Sequence, residues 1–104
     1  MKERDRKIDR FAMIDRAIKV GKANSQKEIA EYVREKLEID YSEGTVKLDI
    51  KRMREIYDAP IVYNTVAKRY TYGYLYEFSE AFVKYWSSHM VLSTKLSKIL
   101  DVNV

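Results

Sequence analysis

The sequence of 104 residues contains no cysteine and a single histidine, His89. The lack of cysteine excludes disulfides, thiolate zinc sites and cysteine nucleophiles. A metal site at His89 would have no second histidine or cysteine to join it, and no nucleophile motif or glycine-rich phosphate loop accompanies this residue. We therefore expect neither a metal nor a cofactor, and we expect that the protein is not an enzyme.

Long apolar runs are also missing from the chain. No stretch approaches the roughly 20 apolar residues that cross a membrane. The charged start, over residues 1–7, lacks the apolar run that a signal peptide needs. These absences predict a cytoplasmic protein that has no membrane partner.

An excess of charge of one sign is present but small. Twenty lysines and arginines stand against 16 aspartates and glutamates, which gives a net charge of +4. This balance is compatible with a polyanionic partner but does not require one. The length is that of one domain, and 46% apolar with 35% charged residues indicates a folded and soluble protein.

The first half of the chain has the periodicity of three amphipathic helices. The first spans about residues 4–20 and is followed by a glycine that can close it in the left-handed conformation. The second begins at Ser25, which forms the pattern of a capping box with Glu28. The third begins at Ser42, a favourable N-cap, and ends before Pro60, since proline disfavours helical geometry in the preceding residue.

The second half of the chain changes to strand periodicity and back. Residues 61–63 predict a short strand, and tyrosines alternate with other residues over 70–76, which predicts a second strand with one tyrosine face. Lys68 and Arg69 then lie near the tip of the hairpin that these strands form. From about residue 79 to residue 100, apolar residues recur at heptad-like spacing and predict a long final helix.

Three helices followed by a hairpin is the element order of a winged helix-turn-helix. We therefore predict a mainly α fold with a small β-hairpin: three helices, a two-stranded wing and a long C-terminal helix. Residues 1–76 form the predicted DNA-binding domain, and residues 77–104 form the C-terminal helix. An α-helix fits the major groove, where its N-terminal residues meet the base edges. The residues expected at the DNA are Ser42, Glu43, Gly44, Thr45, Lys47, Lys51, Arg52, Lys68 and Arg69.

Two stretches of the sequence carry a family resemblance. SEGTVKLDI at 42–50 resembles the recognition-helix signature of bacterial transcription regulators that have a C-terminal WYL domain, in which Ser, Thr and Asp recur at this spacing between aliphatic residues. YDAPIVY at 57–63 and KRYTY at 68–72 resemble the wing of the same family. The resemblance covers about residues 10–74.

The resemblance implies a sequence-specific regulator of transcription that binds double-stranded DNA, is associated with the nucleoid and is dimeric. It places residues 42–45 and Lys47 at the DNA, and Lys68 with Arg69 in the wing. Asp49 matches the aspartate of the family, and we assign it to an ion pair or a cap because phosphates would repel a carboxylate. These 104 residues do not contain the Trp-Tyr-Leu motif of the family's sensing domain, and Leu48 stands where many relatives have a polar residue.

The final helix carries more apolar residues than one face of a small domain can cover. Surplus apolar surface indicates a partner site, and a homodimer is the commonest assembly that would present two recognition helices to a palindromic DNA site. Packing within the chain, or against a further domain, is the alternative. The predicted interface consists of Phe82, Tyr85, Trp86, His89, Leu92 and Leu96.

Other interpretations of the sequence remain open. The charged side of the third helix can be an ordinary solvated face, in which case the protein is a winged-helix protein-interaction module that uses the final helix and the tyrosines. The tyrosines can also stack on unpaired bases of single-stranded nucleic acid. Alternating tyrosines on a hairpin more often pack on neighbouring helices with their hydroxyls at the rim.

Overall fold

The structure, a computed structural model, describes residues 7–21 and 24–88. It is mainly helical and has one two-stranded antiparallel hairpin, as the sequence predicts. A fourth helix, α4, is described over residues 78–88. The five elements before it are α1 (Lys7–Val20), α2 (Gln26–Leu37), α3 (Glu43–Tyr57), β1 (Ile61–Asn64) and β2 (Arg69–Tyr72).

The first three helices pack against one another around a single apolar core. The apolar stripe that the periodicity predicts for each helix is the side that is buried. The largest side chains with less than 2% exposure are Ile14, Ile29, Val33, Val46, Ile50, Met53 and the carboxylate residue Asp49.

The helix ends follow the predicted chemistry. Gly21 has a φ of +81°, the left-handed conformation that closes α1 and that costs a glycine little. Ser25 Oγ accepts a hydrogen bond from the Glu28 N–H, and the Glu28 carboxylate accepts one from the Ser25 N–H. Hydrogen bonds from Ser25 lower the pKa of Glu28 below 4.5. This capping box is therefore complete at neutral pH and weakens as the pH falls through the lowered pKa.

Removal of the N-cap at α2 has a defined expected cost. Ser25→Ala leaves N–H groups of the first turn without their side-chain acceptor, and we expect the free energy of unfolding to fall by about 1 kcal/mol. Urea denaturation followed by circular dichroism measures the change. Ser87→Ala, at an exposed position of α4, is the control and should change the free energy of unfolding by less than about 0.5 kcal/mol. Equal effects of the two substitutions would contradict the capping role.

The hairpin is shorter than the tyrosine pattern predicts. Its strands pair from Ile61 with Tyr72 to Asn64 with Arg69, so the prediction of a strand that continues to Tyr76 was wrong. After Tyr72, the Gly73 N–H donates to the Pro60 carbonyl at 2.6 Å. Proline has no N–H with which to continue the ladder, and the pairing ends there.

Two sets of hydrogen bonds fix the hairpin on the helices. The buried residue Asn24 lies in the connection between α1 and α2. Its backbone carbonyl accepts a hydrogen bond from the Tyr70 N–H at 2.8 Å, and its side-chain Nδ2 donates to the Tyr70 carbonyl at 3.0 Å. Arg54 Nε, on α3, donates to the Ile61 carbonyl at 2.8 Å. Both strands of the hairpin are thereby held against the helix bundle.

The helix α4 packs through aromatic rings against the end of α3. Phe78 is buried and lies 5.2 Å from Tyr57 between ring centroids, and Phe82 lies 6.1 Å from the same ring. Among the described residues, no helix combines the length and apolarity needed to cross a membrane.

Candidate nucleic-acid interface

The N-terminus of α3 is exposed and locally ordered by its own side chains. Ser42 caps the helix, since its Oγ accepts the Thr45 N–H at 3.1 Å and lies 2.8 Å from Thr45 Oγ1. Gly44 is exposed, and a Cβ at this position would meet only Ser42 Oγ, at 3.8 Å. A ligand surface can therefore approach the backbone of the first turn closely.

Lys47 and Lys51 lie one turn apart on the exposed side of α3. Within the described part of the chain, neither lysine has a carboxylate oxygen within 4.0 Å of its ammonium. Leu48, beside them, is 45% exposed, and the acidic residues Glu43 and Glu55 are exposed on the same helix. The outward side of α3 thus offers two cations and one apolar side chain, with carboxylates near both ends.

Arg52 differs from the two lysines. Its Nη1 lies 3.5 Å from Asp49 Oδ1, and its side chain is 33% exposed. The predicted site residue therefore borders the outward face of α3, with one edge of its guanidinium turned toward a carboxylate of the same helix.

Asp49 is fully buried and joins three elements of the fold. Its Oδ2 accepts hydrogen bonds from Arg10 Nε of α1 at 2.9 Å and from the Tyr41 hydroxyl at 2.6 Å. Oδ1 accepts a hydrogen bond from Arg10 Nη2 at 3.4 Å and lies 3.5 Å from Arg52 Nη1 in an ion pair. The prediction was that Asp49 belongs to an ion pair or a cap, and the structure shows the ion pair. Burial is the main cause that raises the pKa of the Tyr41 hydroxyl, and the hydrogen bond to Asp49 raises it further. The hydroxyl therefore stays protonated and remains a donor.

Sequence reasoning did not identify Arg10 and Tyr41 as partners of Asp49. The available signal was the aspartate itself, because a carboxylate on the buried stripe of a helix requires donors. The sequence did not indicate which donors these are, since Arg10 lies 39 residues away along the chain.

The connection of residues 38–42 between α2 and α3 is held from α2. Arg34 Nη1 donates to the Tyr41 carbonyl at 2.6 Å, and Gln26 Nε2 donates to the Glu43 carbonyl at 2.7 Å. These bonds fix the start of α3 although the connection is longer than a minimal turn. Arg10 and Arg34 line an open cleft of about 650 Å³ beside Ser42 and Thr45.

The tip of the hairpin carries the two predicted basic residues. Asn64 Oδ1 accepts the N–H groups of residues 66 and 67, and Lys68 closes the turn with a φ of +57°. Lys68 and Arg69 are both exposed. Arg69 Nη1 also lies 3.4 Å from the Gly21 carbonyl, so this arginine rests against the end of α1, while Lys68 extends from the turn.

The tyrosines of the hairpin region mostly pack within the chain. Tyr70 is buried and lies 4.8 Å from Tyr63 between ring centroids. The Tyr72 hydroxyl donates to Asp15 of α1, and the Tyr76 hydroxyl donates to the Tyr57 carbonyl. Burial and nearby carboxylates raise the pKa of Tyr76 to about 12. These contacts support packing on the helices over a stacking platform for unpaired bases.

The predicted interface helix is described only in part. Phe82 is half-buried and packs within the chain, whereas Tyr85 and Trp86 are 38% and 41% exposed. Val83 adds a further apolar side chain at 60% exposure. The other three predicted interface residues, His89, Leu92 and Leu96, lie outside the described residues.

Comparisons with known proteins identify no relative of this chain. The chain matches no family model, no curated protein and no solved structure. The described residues contain no group of three or more histidines, cysteines or carboxylates that could hold a metal ion.

Proposed function

We propose that this protein is a winged helix-turn-helix regulator of transcription that binds double-stranded DNA in a sequence-specific manner. The observation that carries the proposal is the outward side of α3, where a capped, glycine-containing N-terminus leads into Lys47 and Lys51. In the proposed complex this helix enters the major groove, and the hairpin acts as the wing on the DNA backbone.

Each part of the outward side of α3 has a chemical role in this proposal. Thr45 reaches base edges from the first turn, and Gly44 permits close approach. Lys47 and Lys51 neutralise phosphates, which fixes the register of the protein on the duplex. Leu48 is placed for apolar contact with a thymine methyl group. The buried Asp49 network holds the helix on α1, so that it meets the groove as a rigid body.

The hairpin supports the proposal through its attachment. Because Asn24 and Arg54 bind its two strands to the bundle, Lys68 is presented at a fixed position relative to α3. Because the backbone at the tip is already ordered, only the lysine side chain loses conformational freedom when it contacts a phosphate. We propose that Lys68 and Arg69 contact phosphates of the DNA backbone beside the groove that α3 enters.

A homodimer, located at the nucleoid in the cytoplasm, completes the proposal. Val83, Tyr85 and Trp86 leave apolar surface on α4, and a second copy can cover it with two-fold symmetry. Equilibrium sedimentation of the full chain tests the dimer. A monomer at high micromolar concentration would remove it without affecting DNA binding by one copy.

Selection of bound duplexes from a random pool tests the proposed function. A consensus sequence is the expected result, and a palindromic consensus would support the dimer as well. Two results together would contradict DNA binding. The first is that no sequence is enriched in the selection, and the second is that added salt does not reduce the retention of the protein on random duplex DNA. That outcome would favour the protein-interaction module, for which the exposed aromatic side chains of α4 are the supporting observation.

Thr45→Ala tests the assignment of this residue to base recognition. We expect the preference for the selected base at one position of each half-site to weaken by about 1 kcal/mol, with little change on random duplex. Competition binding with single-base variants of the selected site measures the effect. Thr45→Ser, which keeps the hydroxyl and loses the methyl group, is the matched control. An equal loss of affinity for every DNA sequence would instead show that Thr45 contacts the DNA backbone.

A further inference from the structure

A tyrosine-lined cleft lies where α3, the segment after β2 and α4 meet. Its volume is about 440 Å³, within the range of small-molecule sites in proteins. Ile56 and Tyr57 contribute from the end of α3, Tyr76 from the segment after the hairpin, and Tyr85 from α4. The cleft is separate from the outward side of α3 that we assign to DNA.

Contacts within the chain hold two of the tyrosines of this cleft against Tyr57. Tyr57 is buried, and its ring lies 5.4 Å from that of Tyr85 in an edge-to-face arrangement. The Tyr76 hydroxyl donates to the Tyr57 carbonyl at 2.7 Å. Edge-to-face tyrosines held in this way form a preorganised site for a further aromatic ring.

Two opposite charges line the same cleft. Asp58 follows α3 and Lys84 projects from α4. Among the described residues, neither side chain has an ion-pair partner within 4.0 Å, and the two are therefore not paired with each other. A ligand that carries both an anionic and a cationic group can satisfy both side chains at once.

We propose that this cleft binds a free aromatic α-amino acid. The ring packs among Tyr57, Tyr76 and Tyr85, the carboxylate pairs with Lys84, and the ammonium group pairs with Asp58. The assignment follows from aromatic walls combined with two charges of opposite sign that form no ion pair with any residue the structure describes, and it does not depend on DNA binding.

Saturation-transfer NMR on the full chain, with L-phenylalanine as the probe at millimolar concentration, tests the proposal. We expect transfer to the ring protons and weaker transfer to L-leucine. Phenethylamine, which lacks the carboxylate, and 3-phenylpropionate, which lacks the ammonium group, should also bind more weakly. Absence of transfer to L-phenylalanine overturns the site, and equal binding of 3-phenylpropionate overturns the role of Asp58. Binding that weakens as the protein concentration rises would show that a second copy fills the cleft instead, which also overturns the proposal.

Three variants place the binding at this cleft. Lys84→Gln and Asp58→Asn should each weaken the affinity for L-phenylalanine about fivefold, the effect of one partly exposed ion pair. Asparagine tolerates the left-handed conformation that Asp58 adopts, with a φ of 54°. Lys36→Gln, on α2 and outside the cleft, is the matched control and should leave the affinity unchanged. Unchanged affinity in both cleft variants overturns the assignment, provided that their circular dichroism spectra match that of the parent protein.

Discussion

Asp49→Ala lowers the free energy of unfolding by about 3–5 kcal/mol, the expected cost of removing one member of a buried ion pair. The substitution leaves the guanidinium of Arg10, whose side chain is only 11% exposed, without this carboxylate. It also removes the acceptor of the Tyr41 hydroxyl, a buried donor. Urea denaturation at pH 7, followed by circular dichroism, measures the loss.

Two further variants separate the ion pair from the general effect of truncating a side chain. Glu55→Ala removes an exposed carboxylate from the same helix and should change the free energy of unfolding by less than about 0.5 kcal/mol. The double variant Asp49→Leu with Arg10→Met removes both charges and should recover at least half of the loss, because apolar replacements of buried ion pairs are often neutral. A loss below about 1 kcal/mol in Asp49→Ala would show that this network does not hold α3 in place.

Lys47→Ala combined with Lys51→Ala weakens binding to duplex DNA about fiftyfold in 0.1 M salt. The magnitude follows from counterion release, since each phosphate contact contributes about 0.9 to the slope of the logarithm of the affinity against the logarithm of the salt concentration. The plot should therefore become less steep, with a slope whose magnitude is smaller by about 1.8 for the two lysines. Fluorescence anisotropy with a labelled duplex, at several salt concentrations, measures both quantities.

The matched control for this pair removes two lysines that lie elsewhere. Lys36→Ala combined with Lys84→Ala makes the same change in net charge on α2 and α4. We expect its slope to stay within about 0.5 of the parent value, because only charges near phosphates release counterions. Equal slopes for the two double variants would mean that DNA binding follows the net charge of +4, which would contradict a DNA-facing role for α3.

Much of the local structure could be predicted because its causes lie close together along the chain. The capping box uses two residues three apart, Ser25 and Glu28. The buried stripe of α3 follows from apolar residues that recur at helical spacing. The turn of the hairpin depends on Asn64 and on the four residues after it. Local hydrogen bonds and periodicity are enough to specify such features.

The candidate site was predictable as a set of residues but not as an arrangement. Helical spacing alone places Lys47 and Lys51 on one side of α3, whereas only the structure shows that Asp49 is fully buried. Spacing did not show that Arg52 differs from the two lysines by forming an ion pair with Asp49. The alternating tyrosines predicted a strand through Tyr76, whereas the missing N–H of Pro60 ends the pairing beside Gly73.

By itself, the sequence determined the mainly helical fold, the order of its elements, the helix caps and the side of α3 that faces outward. Only the tertiary structure decided that Arg10 and Tyr41 donate hydrogen bonds to Asp49, that Asn24 holds β2, and that tyrosines from three segments form one cleft. The physical reason is distance along the chain. Asn24 and Tyr70 are 46 residues apart, so their pairing is set by how the helices pack and not by any local preference of either residue.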